Sequence, residues 1–510
     1  MPNTKETNSS HNTIPPINDG KDNNSIQPLH SPHTTSEKEE HKHISSPKLG
    51  LITTAVTLVM FLTLLDTTII VTVQSGVYQY TFLTFLFLFE VGSAVCGAAL
   101  SSKMLIIGRA VAGLGGSGLR NGALGIITEC VPLAKRPPYF GVMMGLSLCG
   151  AAVGPLLGGL FTKFVSWRWC FYVNLPIGAL AAILLLAIRI PDVQAKKLTS
   201  VISALSTLDL VGFLLFAPCA IMFLMALEWG GSKYAWSSGT IISLFCGAGS
   251  IFLVFLGWEH HLGDEATIPF SMVRKRAVWS SYLVIWFFFG GMMVYSYYLP
   301  IYFQAVKGTS PLASGVDILP LILSQMVAVV LSGGLVKKMG YYLPFSIASS
   351  ILMAISAGLI TTLSVGTSTG RWIGYQIIGG FGQGLGMQMP YIAIQHSIPQ
   401  QHNAVALALI VFMQNLGGAV FLALAQTIFT TDLRSGLARF APTVDVGLVE
   451  AAGATGFRGL VDSVEVIGVL EAYDEAVTRN FFFAVVCAGV MLFCCWGMGW
   501  VRIEKGEESG

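Results

Sequence analysis

Long apolar stretches recur along this chain and are separated by shorter polar segments. A helical membrane span needs about 20 apolar residues, and water-free hydrocarbon admits only helices or closed barrels. The stretches are continuous rather than alternating, which favours helices. We therefore predict an all-α polytopic membrane protein with about thirteen spans, at 51–73, 81–100, 105–129, 139–162, 169–189, 208–227, 239–258, 279–303, 313–336, 343–364, 372–395, 404–430 and 480–501.

Composition agrees with membrane residence. Hydrophobic residues make up 53% of the 510 residues and charged residues 11%, whereas soluble domains carry roughly a quarter charged residues. Mean hydropathy is +0.68. The net charge of +2 points to no particular partner, and we expect no nucleic-acid partner.

Composition shifts divide the chain into segments. Residues 1–48 are polar and cannot bury enough apolar surface to fold, so we predict a disordered cytosolic tail. The predicted segments that follow are an N-terminal half (49–190), a central linker with two helices (191–277), a C-terminal half (278–430), a long extracellular or lumenal loop (431–479), and a last span with a cytosolic tail (480–510).

Short loops rich in Lys and Arg mark the cytosolic side of a membrane protein. Here they include Lys135 with Arg136, Lys196 with Lys197, and Lys337 with Lys338. The pattern places both chain ends in the cytosol. An odd number of spans cannot do so, which indicates an irregularity near the start of the chain.

An internal repeat locates the irregularity. Residues of the third predicted span and its surroundings match residues 267 positions later, in the pairs Arg109–Gln376, Gly113–Gly380, Gly115–Gly382, Pro132–Pro399 and Gly150–Gly417. Repeated halves are typical of transporters. The first span of the second half begins near Val278, 98 positions before Gln376, but that of the first half begins near Leu51, only 58 before Arg109. The first half is therefore short by about one span and its loop.

Five segments carry recognisable motifs: Leu65–Val71, Gly108–Gly115, Gly150–Gly159, Trp167–Gly178 and Gly333–Gly340. They resemble, in this order, the first-span motif, the fourth-span arginine motif, the fifth-span antiporter motif, a segment typical of the fourteen-span group, and the second-half copy of a basic loop motif. The chain thus resembles the fungal fourteen-span drug:proton antiporters of the major facilitator superfamily. Unlike them, it lacks the second span and the first-half copy of the loop motif.

The resemblance implies that Asp66 and Arg109 couple transport to protons. A carboxylate inside the bilayer is costly and normally faces a cavity or a partner, although Asp66 lies near the end of its span, where a structural hydrogen bond is the alternative. Arg109 is close enough to a span end that snorkelling to the headgroups is the alternative role.

The antiporter motif supplies five candidate hinge residues, which are Gly150, Gly154, Pro155, Gly158 and Gly159. Glycines spaced by four share one helix face and allow close helix packing, and a proline can bend the helix. Ordinary packing in a helix bundle is the alternative.

Further polar residues on the predicted spans could line a substrate cavity: Glu90, Gln376, Gln383, Gln388, Gln414 and Asn415. Hydrogen bonding between helices is an equal alternative for each. Glu90 and Arg120 are intramembrane charges of opposite sign and could pair with each other.

The sequence contains no P-loop and no HExxH or GxSxG motif, and we expect no enzymatic activity, metal or cofactor. Energy must then come from an ion gradient. We predict a monomer in the cell membrane, or in a vacuolar or vesicular membrane, that exports a small, largely apolar toxin, drug or secondary metabolite in exchange for protons. The alternatives are a siderophore or basic amino acid transporter and a truncated, transport-defective membrane protein.

Overall fold

A computed structural model describes residues 77–131, 133–187, 209–231, 234–263, 270–399, 402–462 and 465–503. These residues are almost entirely helical. The predicted tail and the first predicted span, with Asp66, lie outside the described residues.

The helices fall into three groups along the chain. The N-terminal group is α1 (Val77–Gly97), α2 (Ser102–Cys130), α3 (Arg136–Phe164), α4 (Trp169–Tyr172) and α5 (Asn174–Ala187). The central group is α6 (Leu210–Trp229), α7 (Gly239–Leu262) and the short α8 (Phe270–Val273). The C-terminal group is α9 (Arg276–Ile301), which runs on as a π-helical turn over Tyr302–Val306, then α10 (Pro311–Asp317), α11 (Leu319–Met339), α12 (Leu343–Ile360), α13 (Thr369–Gly386), α14 (Met389–Ser397), α15 (Asn403–Phe440), α16 (Val446–Gly456) and α17 (Val466–Cys495).

Seven helical stretches of the described chain are long and apolar enough to cross a membrane: Trp169–Ala187, Gly239–Leu262, Arg276–Val306, Pro311–Met339, Leu343–Ile360, Val405–Phe440 and Val466–Met498. Phe82–Gly97 and Leu214–Trp229 are shorter apolar helices. The prediction of an all-α polytopic membrane protein is confirmed.

One predicted span is divided. Residues 372–395 were expected to form one helix, but α13 ends at Gly386 and α14 begins at Met389. Pro390 stands in the first turn of α14, where its missing N–H would have had no helical partner.

The stretch 431–479, predicted as a long extracellular or lumenal loop, is largely helical in its described residues, and its side of the membrane stays a prediction. The extension of α15 buries Leu433 and Leu437 against Val469 and Tyr473 at the start of α17. The apolar residues of these amphipathic segments are few and are separated by Gly and acidic residues. The average hydropathy of the stretch therefore does not reveal them.

The helix bounds follow the internal repeat. A shift of 267 positions carries the first residue of α2, Ser102, onto Thr369, the first of α13, and the last, Cys130, onto Ser397, the last of α14. The same shift carries Arg136 at the start of α3 onto Asn403 at the start of α15. Equivalent sequence positions therefore begin and end equivalent helices in the two groups.

The N-terminal and C-terminal groups meet where α3 packs against α11. A Cβ added to Gly141 would lie 2.8 Å from the Val329 carbonyl oxygen, and one added to Gly333 would lie 2.6 Å from that of Pro137. Glycine at these positions lets the two helix backbones approach closely. Buried apolar residues of α2 and α3, Leu124, Phe140, Met144 and Leu148, share one core cluster with the C-terminal helices.

Candidate transport pathway

The two faces of α2 have different surroundings. Gly115 and Gly118 pack against Phe89 and Phe85 of α1. Arg109 and Arg120 are eleven positions apart, which is about three helical turns, so they share a face that points away from that contact. Both arginines are exposed although both lie inside an apolar helix.

Arg109 lies about two turns inside α2, which begins at Ser102. Its guanidinium carbon is 6.0 Å from the centre of the Phe171 ring on α4. This is an outer distance for a cation–π contact. Its role in proton coupling stays a prediction, because Asp66, the other predicted coupling residue, is outside the described residues.

Glu90 is held between helices of the N-terminal group. Its carboxylate lies against Gly178 of α5, and its Oε2 is buried without a hydrogen-bond partner in the described structure. It forms no ion pair with Arg120, so the suggested pairing of these two charges is wrong. Glu90 projects from the face of α1 that packs on α5, whereas Arg120 projects from the face of α2 turned away from α1.

Two of the predicted cavity residues form hydrogen bonds between helices. Gln376 is fully buried, and its Nε2 donates to the Asp317 carbonyl oxygen at 2.9 Å. Gln388 is also fully buried and donates to the Val329 carbonyl oxygen at 3.0 Å and to Ser332 Oγ at 2.8 Å. Both amides tie α13 or α14 to α10 or α11, which is the hydrogen-bonding role given above as the alternative, and their place in a substrate cavity stays a prediction.

Gln383 is buried as well, at 1% exposure, and its Nε2 has no hydrogen-bond partner in the described structure. Gln414 and Asn415 on α15 are half-buried. Gln414 Oε1 accepts a 2.6 Å hydrogen bond from the Tyr391 hydroxyl.

One end of the boundary is closed by Arg136. This arginine is 7% exposed and donates to the carbonyl oxygens of Val131 at 2.8 Å and Thr128 at 2.5 Å within its own group. A third bond, 3.0 Å long, joins it to Gln395 Oε1 of α14. In the sequence Arg136 served only as a topology signal, since nothing local points to a partner 259 positions away.

The antiporter-motif residues Gly150, Gly154, Pro155, Gly158 and Gly159 all lie in α3, which is continuous from Arg136 to Phe164. A Cβ added at Gly150 or Gly154 would meet no described heavy atom within 4 Å. Among the described residues, the close approach of α3 to another helix therefore occurs at Gly141 and Gly145, nearer its start. The hinge role of the motif stays a prediction.

Close contacts at glycine residues join two helix groups that are related by the internal repeat. Exposed charged side chains lie on the membrane helices. Together these features define a polytopic membrane protein of the transporter class. The Major Facilitator Superfamily profile matches residues 35–422, and the chain belongs to this family. It is therefore a transporter and not an enzyme.

The relatives agree with this assignment. The chain is 48% identical to the efflux pump mokI of Monascus pilosus, over 94% of this chain and 96% of that protein. It is also 48% identical to the efflux pump mlcE of Penicillium citrinum, over 94% of this chain and 95% of that protein. A crystal structure of the family transporter FucP in the outward conformation shares the fold, with a TM-score of 0.53 and 11% identity over 88% of this chain and 91% of that chain.

Proposed function

We propose that this protein exports a small, largely apolar toxin or secondary metabolite by exchange with protons. The observation that carries the proposal is its 48% identity, over nearly its full length, to two fungal proteins named efflux pumps.

The arrangement of α2 and α3 supports a transport cycle with alternating access. At the end marked by Arg136, the two helix groups are joined by a hydrogen bond to Gln395 and by the Gly333 contact. Farther along α3, the described positions Gly150, Val153, Gly154 and Leu157 are exposed. A transporter with alternating access switches between two states, each of which is closed at one end and open at the other.

We also propose that the N-terminal half lacks about one span. The alignment with mokI runs over 523 positions, more than the 510 residues of this chain, so it opens gaps in this chain. These gaps agree with the shorter first half that the internal repeat indicates. Comparing the transcript with the genomic exon near codon 74 tests it: a skipped exon of about one span would make the loss a splicing product, and an uninterrupted reading frame would make it a property of the gene.

An efflux assay tests the proposed function. The full chain is produced in an efflux-deficient fungal host, and the loss of preloaded Nile red is followed by fluorescence. We expect the wild type to expel the dye and a protonophore to abolish the effect. Asp66→Asn removes the predicted proton carrier and should reduce efflux at least about tenfold, whereas Asp462→Asn, at an exposed position outside the spans, should leave it unchanged.

The same assay separates the alternatives. Wild-type cells that retain the dye as long as cells without the protein would contradict export and favour the truncated, transport-defective protein. Efflux that survives both Asp66→Asn and the protonophore would contradict coupling to protons.

A further inference from the structure

Gln325 is a buried polar side chain of α11 whose amide donates only to sulfur atoms in the described structure. It is 2% exposed, and its Nε2 lies 3.9 Å from Met292 Sδ of α9 and 3.9 Å from Met387 Sδ at the end of α13. A thioether sulfur is a weak acceptor, so both contacts are weak hydrogen bonds. The NH2 group of Gln325 is therefore buried with most of its hydrogen-bonding capacity unused.

Gln383 of α13 presents a second buried amide with unused donors. It is 1% exposed, and its Nε2 has no hydrogen-bond partner among the described residues. Leaving a buried NH2 group unsatisfied is costly, so such a group is retained where water or a ligand reaches it.

The packing of α13 against α9 places Gln383 beside the sulfur atoms that Gln325 contacts. A Cβ added at Gly379 would lie 3.2 Å from the Tyr295 ring of α9, and one added at Gly386 would lie 3.3 Å from the Phe288 ring. Gln383 lies between these two glycines, one helical turn from each, and shares their face. On α9, Met292 lies between Phe288 and Tyr295 and is therefore level with Gln383. Met387 follows Gln383 by one turn on the same face of α13.

This level of α11 lies at the boundary between the two helix groups. Met326, the residue after Gln325, has its Sδ 2.9 Å from Cys149 Sγ of α3. Met292, Met326, Met387 and Cys149 are all half-buried. Flexible, polarisable thioethers adapt to solutes of varied shape, so they suit the wall of a binding site better than that of a rigid core.

We propose that Gln325 and Gln383 donate hydrogen bonds to a carbonyl oxygen of the transported solute, whose apolar body lies against Met292 and Met387. The oxygen belongs to a ketone, a lactone or a carboxyl group, each of which is a stronger acceptor than a thioether. The proposal rests on the proposed function and narrows its substrate class to carbonyl-bearing apolar solutes. A hydrocarbon of the same shape leaves both amides unsatisfied and binds less tightly.

Binding of two matched solutes to the purified full-length protein tests this. Xanthone and xanthene have the same fused rings, but xanthone has a carbonyl group where xanthene has a methylene group. Each displaces Nile red from the protein in lipid nanodiscs, and the affinities are corrected for partitioning into protein-free nanodiscs. We expect xanthone to bind about tenfold tighter, the preference that hydrogen bonding to one oxygen provides. The infrared carbonyl stretch of bound xanthone should also lie at a lower frequency than in protein-free nanodiscs.

Gln325→Met and Gln383→Met keep the length of the side chain but remove its amide. Each should lower the ratio of xanthone to xanthene affinity at least about threefold, leave xanthene binding unchanged and raise the carbonyl frequency. This ratio does not depend on the affinity of the variant for Nile red. The matched control is Gln304→Met, which should keep the wild-type ratio, because Gln304 Nε2 already donates to Ser314 Oγ at 2.9 Å.

Equal wild-type affinities for xanthone and xanthene would overturn the proposal, and the wild-type comparison decides the question even where a variant fails to fold. The proposal would also be overturned if variants with the wild-type unfolding midpoint lost both solutes equally, as a purely structural role of the amides predicts. Preference for xanthone without Nile red export would contradict the proposed function and leave the carbonyl site standing. Nile red export with equal affinities would do the reverse.

Discussion

Single side chains decide how the two helix groups meet, and Arg136 is the clearest case. Its guanidinium satisfies two carbonyl oxygens at the end of α2 and one amide oxygen of α14. The first two bonds shape the turn between α2 and α3, and the third joins that turn to the other group. A buried arginine with three acceptors is stable, but removing its charge leaves those acceptors without a donor.

We expect Arg136→Gln to destabilise the protein by about 1–3 kcal/mol, the usual cost of leaving buried hydrogen-bonding groups unsatisfied. Thermal unfolding of the purified protein in detergent measures this as a lower midpoint. Lys135→Gln is the control, because Lys135 is the adjacent basic residue but is exposed. Equal midpoints for both variants would show that the buried bonds of Arg136 contribute nothing.

A second residue-scale variant isolates the bond between the groups. Gln395→Ala keeps both carbonyl contacts of Arg136 and removes only its bond to α14. We expect faster hydrogen exchange at the start of α3 and in α14, since the closed end then opens more often. Unchanged exchange in both helices would contradict a role for this bond in closing that end.

At the scale of elements, the helix pair α11 and α13 depends on glycine. Gly380 and Gly384 face the backbone of α11, where an added Cβ would meet the carbonyl oxygens of Leu321 and Gln325. Gly374, on the same helix, has no described atom within 4 Å of such a Cβ. The sequence shows a run of glycines but does not show which of them lie at the contact.

Gly384→Ala should therefore separate α13 from α11, lowering both the unfolding midpoint and Nile red efflux. Gly374→Ala should be neutral or stabilising, because alanine is favoured over glycine in a helix by up to about 1 kcal/mol. The two variants make the same chemical change in the same helix. If their unfolding midpoints fell equally, helix propensity rather than close packing would explain the effect.

For the whole molecule, the membrane spans were predictable from the sequence, but the hydrogen-bond partners of the polar side chains were not. Apolar stretches located the helices from α1 onward, and the repeat predicted that α2 would match α13 and α14. Both signals depend only on the order of residues along the chain. The orientation of Gln376 and Gln388 was not predictable, since a polar residue on a membrane helix faces a cavity or another helix depending on packing. The bond of Arg136 to Gln395 was equally hidden, because its partners come together only in the folded chain.

The same limit applies to the helices within 431–479. The apolar residues that extend α15 and start α17 are too few to raise average hydropathy, yet Leu437 and Val469 are fully buried. Their burial depends on the neighbouring helix. Composition is therefore a better guide to the helix surfaces that contact lipid than to those that contact protein.

The central claim is export coupled to protons, and transport by the purified protein tests it most directly. The full chain is reconstituted into liposomes with an acidic interior, and accumulation of 11-(dansylamino)undecanoic acid is followed. A weak acid distributes passively toward the alkaline side, so accumulation in the acidic interior requires exchange with outgoing protons. We predict accumulation above that of protein-free liposomes, which collapses when nigericin dissipates the pH gradient. Accumulation equal to that of protein-free liposomes, or unaffected by nigericin, would contradict the account.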